Sequence, residues 1–194
     1  MKKDWQKAEK FLKNDGVVVL PTDTLYGIVG RALSKKVVGR IYKIKERNEN
    51  KPFIVLISSY KDLNIFGVKI GDKQAKILKK FWPGKVTVIL PCLSKKFEYL
   101  HRGTKSIGFR MIGTKNKNVY NLINKVGPLV APSANPSNFK HAEKISEAIK
   151  YFGDKIDFYL SGGSKVSKSS TLIRFNNDKL VILRQGEIVV KYNS

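Results

Sequence analysis

Lys45 and Arg47, with one residue between them, and Ser133 and Asn135, spaced in the same way, are the side chains whose types and spacing most directly suggest chemistry. Lysine and arginine neutralise a triphosphate, arginine by gripping two oxygens at once. Serine and asparagine add neutral donors for phosphate or nucleotide. A separate arginine, Arg110, lies in Ser106-Ile107-Gly108-Phe109-Arg110 among hydroxyls, and suits the carboxylate of a small amino acid. Three more polar clusters complete the inventory: Pro21 to Gly27, Lys51-Pro52, and Ser169-Ser170-Thr171 with Arg184-Gln185-Gly186. Any one of these reads equally well as a cap, a turn or a solvated pair. Together they describe a site that positions substrates and stabilises charge. The chain has no glycine-rich phosphate loop and no G-x-G-x-x-G after a strand. Cys92 has no plausible base beside it, His101 and His141 are the only histidines, and no metal-ligand spacing occurs, so neither a covalent nucleophile nor a resident metal is expected.

These clusters need elements to hold them. Trp5, Ala8, Phe11 and Leu12 have helical spacing over residues 4–13, and Gly16 follows where a helix stops. Val17 to Leu20 is a continuous apolar run, as in a strand buried on both faces. Ser34 caps a predicted helix whose stripe is Val37, Val38, Ile41, Tyr42 and Ile44, which delivers Lys45 and Arg47 at its C-terminal end. Strands are predicted at 53–57, 86–90, 106–111, 129–131 and 158–160, and helices at 74–81, 119–126 and 141–152. Residues 170–175 and 180–184 read as a hairpin turning at Asn176-Asn177-Asp178. Alternating strands and helices followed by a hairpin define an α/β fold with a mixed sheet. The polar clusters fall at strand ends, where such sheets bind ligands. The Gly162-Gly163-Ser164 to Ser169 stretch is the most flexible-looking segment.

The 194 residues, 42% hydrophobic, suit a single domain spanning 1–194. No signal peptide and no run of ~18 apolar residues occurs, so a cytoplasmic protein without membrane attachment is expected. The net charge of +23 favours a polyanionic partner, RNA or a phosphorylated substrate. Lysines scattered through the sequence fit a lysine- and asparagine-rich proteome equally well.

In order along the chain, PTDTLYGIVGRA (from Pro21), KERNENKPFIVLI (from Lys45), WPGKVTVIL (from Trp82), SIGFRM (from Ser106), GPLVAPSANPS (from Gly127), SSTLI (from Ser169) and ILRQGEI (from Ile182) resemble the YrdC/TsaC threonylcarbamoyl-AMP synthases. The length is that of the short form. The resemblance implies a YrdC-like twisted, open mixed sheet with flanking helices around a basic cavity. It implies an enzyme, a nucleotidyltransferase, that converts L-threonine, bicarbonate and ATP to threonylcarbamoyl-AMP and pyrophosphate. Mg²⁺ accompanies ATP, which is a substrate. The product serves a downstream threonylcarbamoyl-transferase complex that modifies tRNAs reading codons beginning with A. Carried over by position, Lys45 and Arg47 are catalytic. The same two residues, with Lys51, Ser106, Ser133, Asn135, His141 and Arg184, bind ATP, while Thr24, Arg110, Ala131 (through its backbone) and Ser170 bind L-threonine.

Two departures matter. The family commonly has Lys-Gly-Arg-Pro where this chain has Lys45-Glu46-Arg47-Asn48, and an apolar residue and proline where it has Met111-Ile112. Two other readings remain: a non-catalytic protein binding tRNA or double-stranded RNA through phosphates, and a carbamoyl-transfer module using carbamoyl-adenylate.

Overall fold

The apolar run at residues 17–20 is a strand with two buried faces. Val18 and Leu20 pack with Ala8, Leu12, Val119 and Leu122, while Val17 and Val19 join Val37, Ile41, Val55 and Phe109 in a second core. Successive strand side chains point to opposite faces, so one run feeds both layers. The structure is a computed structural model and describes residues 2–48 and 50–191; Glu49 of the KERNENKPFIVLI block lies outside them.

In chain order the elements are α1 (Lys2–Lys13), β1 (Val18–Pro21), β2 (Tyr26–Arg31), α2 (Lys35–Lys45), β3 (Ile54–Ile57), α3 (Lys61–Ile65), α4 (Asp72–Leu78), β4 (Val86–Pro91), α5 (Glu98–His101), β5 (Ser106–Met111), α6 (Lys117–Val126), β6 (Leu129–Val130), α7 (Ile145–Phe152), β7 (Phe158–Tyr159), β8 (Thr171–Asn176) and β9 (Lys179–Arg184). They form one nine-stranded sheet, ordered β7-β1-β2-β6-β3-β5-β4-β8-β9. Its pairs are mixed: β3–β5 and β4–β8 run parallel, and β1–β2, β4–β5 and β8–β9 antiparallel. The mixed sheet and its terminal hairpin agree with the sequence. Among the described residues no helix is long and apolar enough to cross a membrane.

Two differences from the sequence reading have local causes. The helix expected from His141 begins at Ile145. Before it, Ala142 donates its amide to the Ala134 carbonyl, and Glu147 reaches back to accept from the Glu143 amide, so this stretch serves as a bridge to the 131–137 segment. Strand β2 was hidden by its two glycines. Gly30 is required there because α2 lies so close to the sheet that a Cβ would sit 2.3 Å from Val37 Cγ1 and 2.9 Å from Ile41 Cδ1.

Helix α2 is the element that aims the site. Ser34 caps its start by accepting from the Val37 amide at 3.4 Å, and Glu46 ends it in the left-handed region, φ 49° and ψ 39°. Crowding at Gly30 predicts that Gly30→Ala lowers stability by about 1–3 kcal/mol, the usual cost of overpacking a tight core. Urea denaturation checks this, and a midpoint equal to wild type would show that α2 can retreat freely.

Candidate functional site

On the sheet face that carries Arg110 (β5), Thr87 (β4) and Gly27 (β2), α1 and α6 cover only the side around β1 and β6. Beyond them the face opens into a cleft of about 150 Å³. That is room for roughly five waters, enough for a small amino acid and too little to enclose a nucleotide. Its walls bring together seven of the residues singled out from sequence: Thr24, Arg47, Arg110, Ala131, Ser133, Ser170 and Arg184.

The 131–134 segment forms one wall because it continues the sheet after β6 ends. The Ile28 amide donates to the Pro132 carbonyl at 2.9 Å, Ala134 to Tyr26 at 2.8 Å, and Ala131 to Ile54 at 3.2 Å. Ser133 therefore stands at a fixed place between β2 and β3. Its hydroxyl donates to Asn135 Oδ1 at 2.6 Å, and the Asn135 amide nitrogen donates to the Phe139 carbonyl at 2.7 Å.

Lys45 does not line the cleft. It is 2% exposed, and its Nζ donates to the Ser133 and Asn135 backbone carbonyls, with Asn135 Oδ1 at 3.5 Å. Burial, then the neighbouring Arg47 charge, push its pKa down from 10.5 to about 7. Arg47, by contrast, reaches the cleft with its guanidinium over Phe53, 5.4 Å from the ring centroid. Its Nε donates to the Lys51 carbonyl at 3.1 Å, the same oxygen that receives the Tyr42 hydroxyl at 3.0 Å. Lys51 thus shapes the loop through its backbone, while its side chain is exposed.

Arg110 forms the floor at 4% exposure. Its Nη2 lies 2.9 Å from Asp23 Oδ1, with the two side chains 5% and 3% exposed. The contact lacks hydrogen-bond geometry, and Arg110 Nε has no partner among the described residues, so the guanidinium keeps donors for a ligand. Burial depresses the Arg110 pKa, Asp23 opposes that shift, and Arg184 adds to it. Asp23 was quoted from sequence only as part of a polar cluster. What betrays its role is the fold of the hairpin turn, in which the Thr22 amide and hydroxyl both donate to the Leu25 carbonyl, at 3.0 and 2.7 Å.

Ser170 lies immediately before β8, 1% exposed, beneath the Arg184 side chain that donates to its carbonyl at 2.9 Å. Tyr26, another residue the sequence did not single out, accepts the Gly162 amide at 2.8 Å and donates to the Gly163 carbonyl at 2.7 Å. The glycine-rich stretch is therefore stapled to β2. Asn135 and His141 lie beside the Ser133 wall and outside the cleft lining. Ser106 stands four residues before Arg110 on β5, roughly 13 Å away along the strand, where its hydroxyl donates to Thr104 Oγ1 at 3.3 Å.

Fold and site define a class: an open mixed α/β sheet with a cleft lined by cations and hydroxyls, Arg47 and Ser133 on one wall and Arg110 and Ser170 on the floor. The chain belongs to the Sua5/YciO/YrdC family, whose model, described as "Telomere recombination", matches residues 10–186. A Methanocaldococcus jannaschii protein is 32% identical over 192 residues, covering 96% of this chain and 89% of its own length. The Bacillus subtilis threonylcarbamoyl-AMP synthase is 30% identical over 185 residues, covering 94% of this chain and 53% of its own length. The structure of Pyrococcus abyssi Sua5 complexed with L-threonine superposes with a TM-score of 0.86 at 28% identity, over 96% of this chain and 55% of that one. The chain thus spans about half of the Bacillus and Pyrococcus relatives.

The buried Asp23–Arg110 pair yields a prediction. Asp23→Asn keeps the shape and strands a buried cation, so stability should fall by about 3 kcal/mol. Chemical denaturation reads this directly, and an unchanged midpoint would mean that Arg110 is compensated elsewhere.

Proposed function

We propose that this chain is an L-threonylcarbamoyl-AMP synthase, a single-domain cytoplasmic nucleotidyltransferase making the activated intermediate for tRNA threonylcarbamoyladenosine. The observation that carries the reading is the meeting of Arg110 and Ser170 with Arg47 and Ser133 in one cleft. The relatives named above supply the substrate class.

In this reading Arg110 holds the threonine carboxylate on the cleft floor, with Ser170, Thr24 and the Ala131 backbone around the amino acid. The amine attacks the carbon derived from bicarbonate, and an amine proton and the bicarbonate hydroxyl leave as water to give a carbamate. A carbamate oxygen then attacks the α-phosphorus of ATP, and pyrophosphate leaves with the P–O bond electrons. The phosphates lie at Arg47 beside the Ser133 wall, and the Arg47 charge stabilises the transition state. The nucleoside, too large for the cleft, extends across its open rim toward Asn135, His141 and Arg184. Lys45 holds Ser133 and Asn135 from behind and contributes positive charge beneath the phosphates. Among the described residues, no three His, Cys, Asp or Glu side chains gather into a metal site. Among the described residues no carboxylate lines the cleft, and Asp23 beneath its floor is paired with Arg110. The donor set therefore fits Mg²⁺ arriving on ATP oxygens, where it neutralises phosphate charge.

The experiment is incubation with L-threonine, bicarbonate and ATP. Threonylcarbamoyl-AMP should appear by mass spectrometry, with pyrophosphate release that stops when threonine is omitted. Release that continues without threonine would favour carbamoyl-adenylate chemistry, and none at all, with salt-sensitive RNA binding, the non-catalytic reading.

Lys45 adds a pH signature. The unfolded chain holds this proton up to its ordinary 10.5 and the folded chain only to about 7, so the folded state gains stability as pH rises through that window. A triphosphate docked at Ser133 restores the ammonium. ATP binding at pH 8 should therefore take up about one proton, and much less at pH 6. Calorimetry in buffers of different ionisation enthalpy measures this. Uptake that persists in Lys45→Met would assign the proton to another group.

A further inference from the structure

Thr87 carries no role in the reading so far, yet it is completely buried directly beneath the amino-acid half of the cleft. It lies on β4 opposite Arg110 on β5, and its Oγ1 is 2.8 Å from Ser170 Oγ, across 83 residues of sequence. Gly108 makes room for its methyl group: a Cβ there would meet Thr87 Cγ2 at 3.2 Å. The hydroxyl, on the other branch of the side chain, faces Ser170.

The direction of this hydrogen bond follows from what else each hydroxyl can reach. Among the described residues, Ser170 Oγ is the only partner of Thr87 Oγ1. Thr87 is sealed from solvent, so its proton is satisfied only by donation to Ser170, and leaving a buried hydroxyl proton unbonded is costly. Ser170, which lines the cleft, is then an acceptor on its buried side. Its own proton is free to point outward.

We propose that Thr87 is a positioning residue for substrate recognition: by donating to Ser170 it turns the Ser170 proton into the cleft, so that Ser170 and Arg110 together present a donor-only wall to the carboxylate of the amino-acid substrate. The proposal rests on the synthase reading above and deepens it. An arginine offers only donors, whereas a serine hydroxyl can present either a proton or a lone pair. Without Thr87 the Ser170 hydroxyl turns freely, and part of the time shows its lone pairs to an anion.

The test uses steady-state kinetics on Thr87→Val, Thr87→Ser, Ser170→Ala and the Thr87→Val/Ser170→Ala double variant. Thr87→Val keeps the side-chain shape. It should raise KM for L-threonine about 5- to 10-fold, the worth of one hydrogen bond, with kcat changed less than about twofold and KM for ATP unchanged. Thr87→Ser should restore wild-type KM. In the Ser170→Ala background the valine substitution should add nothing, because Thr87 acts through Ser170. A wild-type KM in Thr87→Val, an equal rise in KM for ATP, or full additivity in the double variant would each overturn the proposal. Should the valine variant not fold, Thr87→Ser and Thr87→Cys, alike in shape and unlike in donor strength, replace it, and equal KM values in that pair overturn the proposal. A wild type that makes no product sinks the synthase reading. L-threonine binding by calorimetry then decides on Thr87: affinity about fivefold weaker in Thr87→Val supports its role, and equal affinity or no binding to wild type ends it.

Discussion

Lys45 ties the end of α2 to the backbone of the 133–135 segment, and the cleft depends on that tie. A buried ammonium among carbonyl oxygens, with no carboxylate bonded to it among the described residues, is an expensive arrangement. It fixes two things at once. The 133–137 segment is held to α2, since Ser137 also donates its amide and hydroxyl to the Lys45 carbonyl, at 3.0 and 3.2 Å. Arg47, two residues on, is thereby set at a constant height above the Ser133 wall. Loss of the Lys45 side chain would free Arg47 and the Ser133 wall together.

The other half of the cleft is organised from below. The sheet face toward α2 is apolar, with Val86, Val88, Phe109 and Met111 in one core. The alternate residues, Thr87, Gly108 and Arg110, look the other way, to where α1 and α6 do not reach. A strand pair can carry a hydrophobic layer and a polar site back to back because its side-chain period is two. The polar side chains need only local partners, Asp23 for Arg110 and Ser170 for Thr87, and these come from the hairpin turn and the residue before β8.

Much of this was legible in the sequence. The helix capped by Ser34, the doubly buried run at 17–20, the strand at 106–111 and the terminal hairpin follow from local pattern and appear with nearly the predicted bounds. Strand β2 was not legible, because its glycines answer to the approach of α2, a tertiary fact. Most of the cleft residues were named from order, type and resemblance, but which of the named residues line the cleft and which lie behind it was not legible. Lys45 reads as a free phosphate ligand in sequence and is a buried strut in the fold. Asp23 and Thr87 are defined only by partners 87 and 83 positions away, and no periodicity reports such pairs.

Glu46 closes α2 in a left-handed conformation, which favours glycine. Holding a side chain there costs roughly 1–2 kcal/mol. A glycine would remove that cost and add roughly 0.5–1 kcal/mol of backbone entropy to the unfolded chain. The first is about twice the second, so exchanging Glu46 for glycine should stabilise the protein by roughly 0.5–1 kcal/mol. The exchange would also soften the backbone from which Arg47 extends. Position 46 is thus a tuning point at which the setting of Arg47 in the cleft can be loosened or stiffened without touching a side chain that lines it.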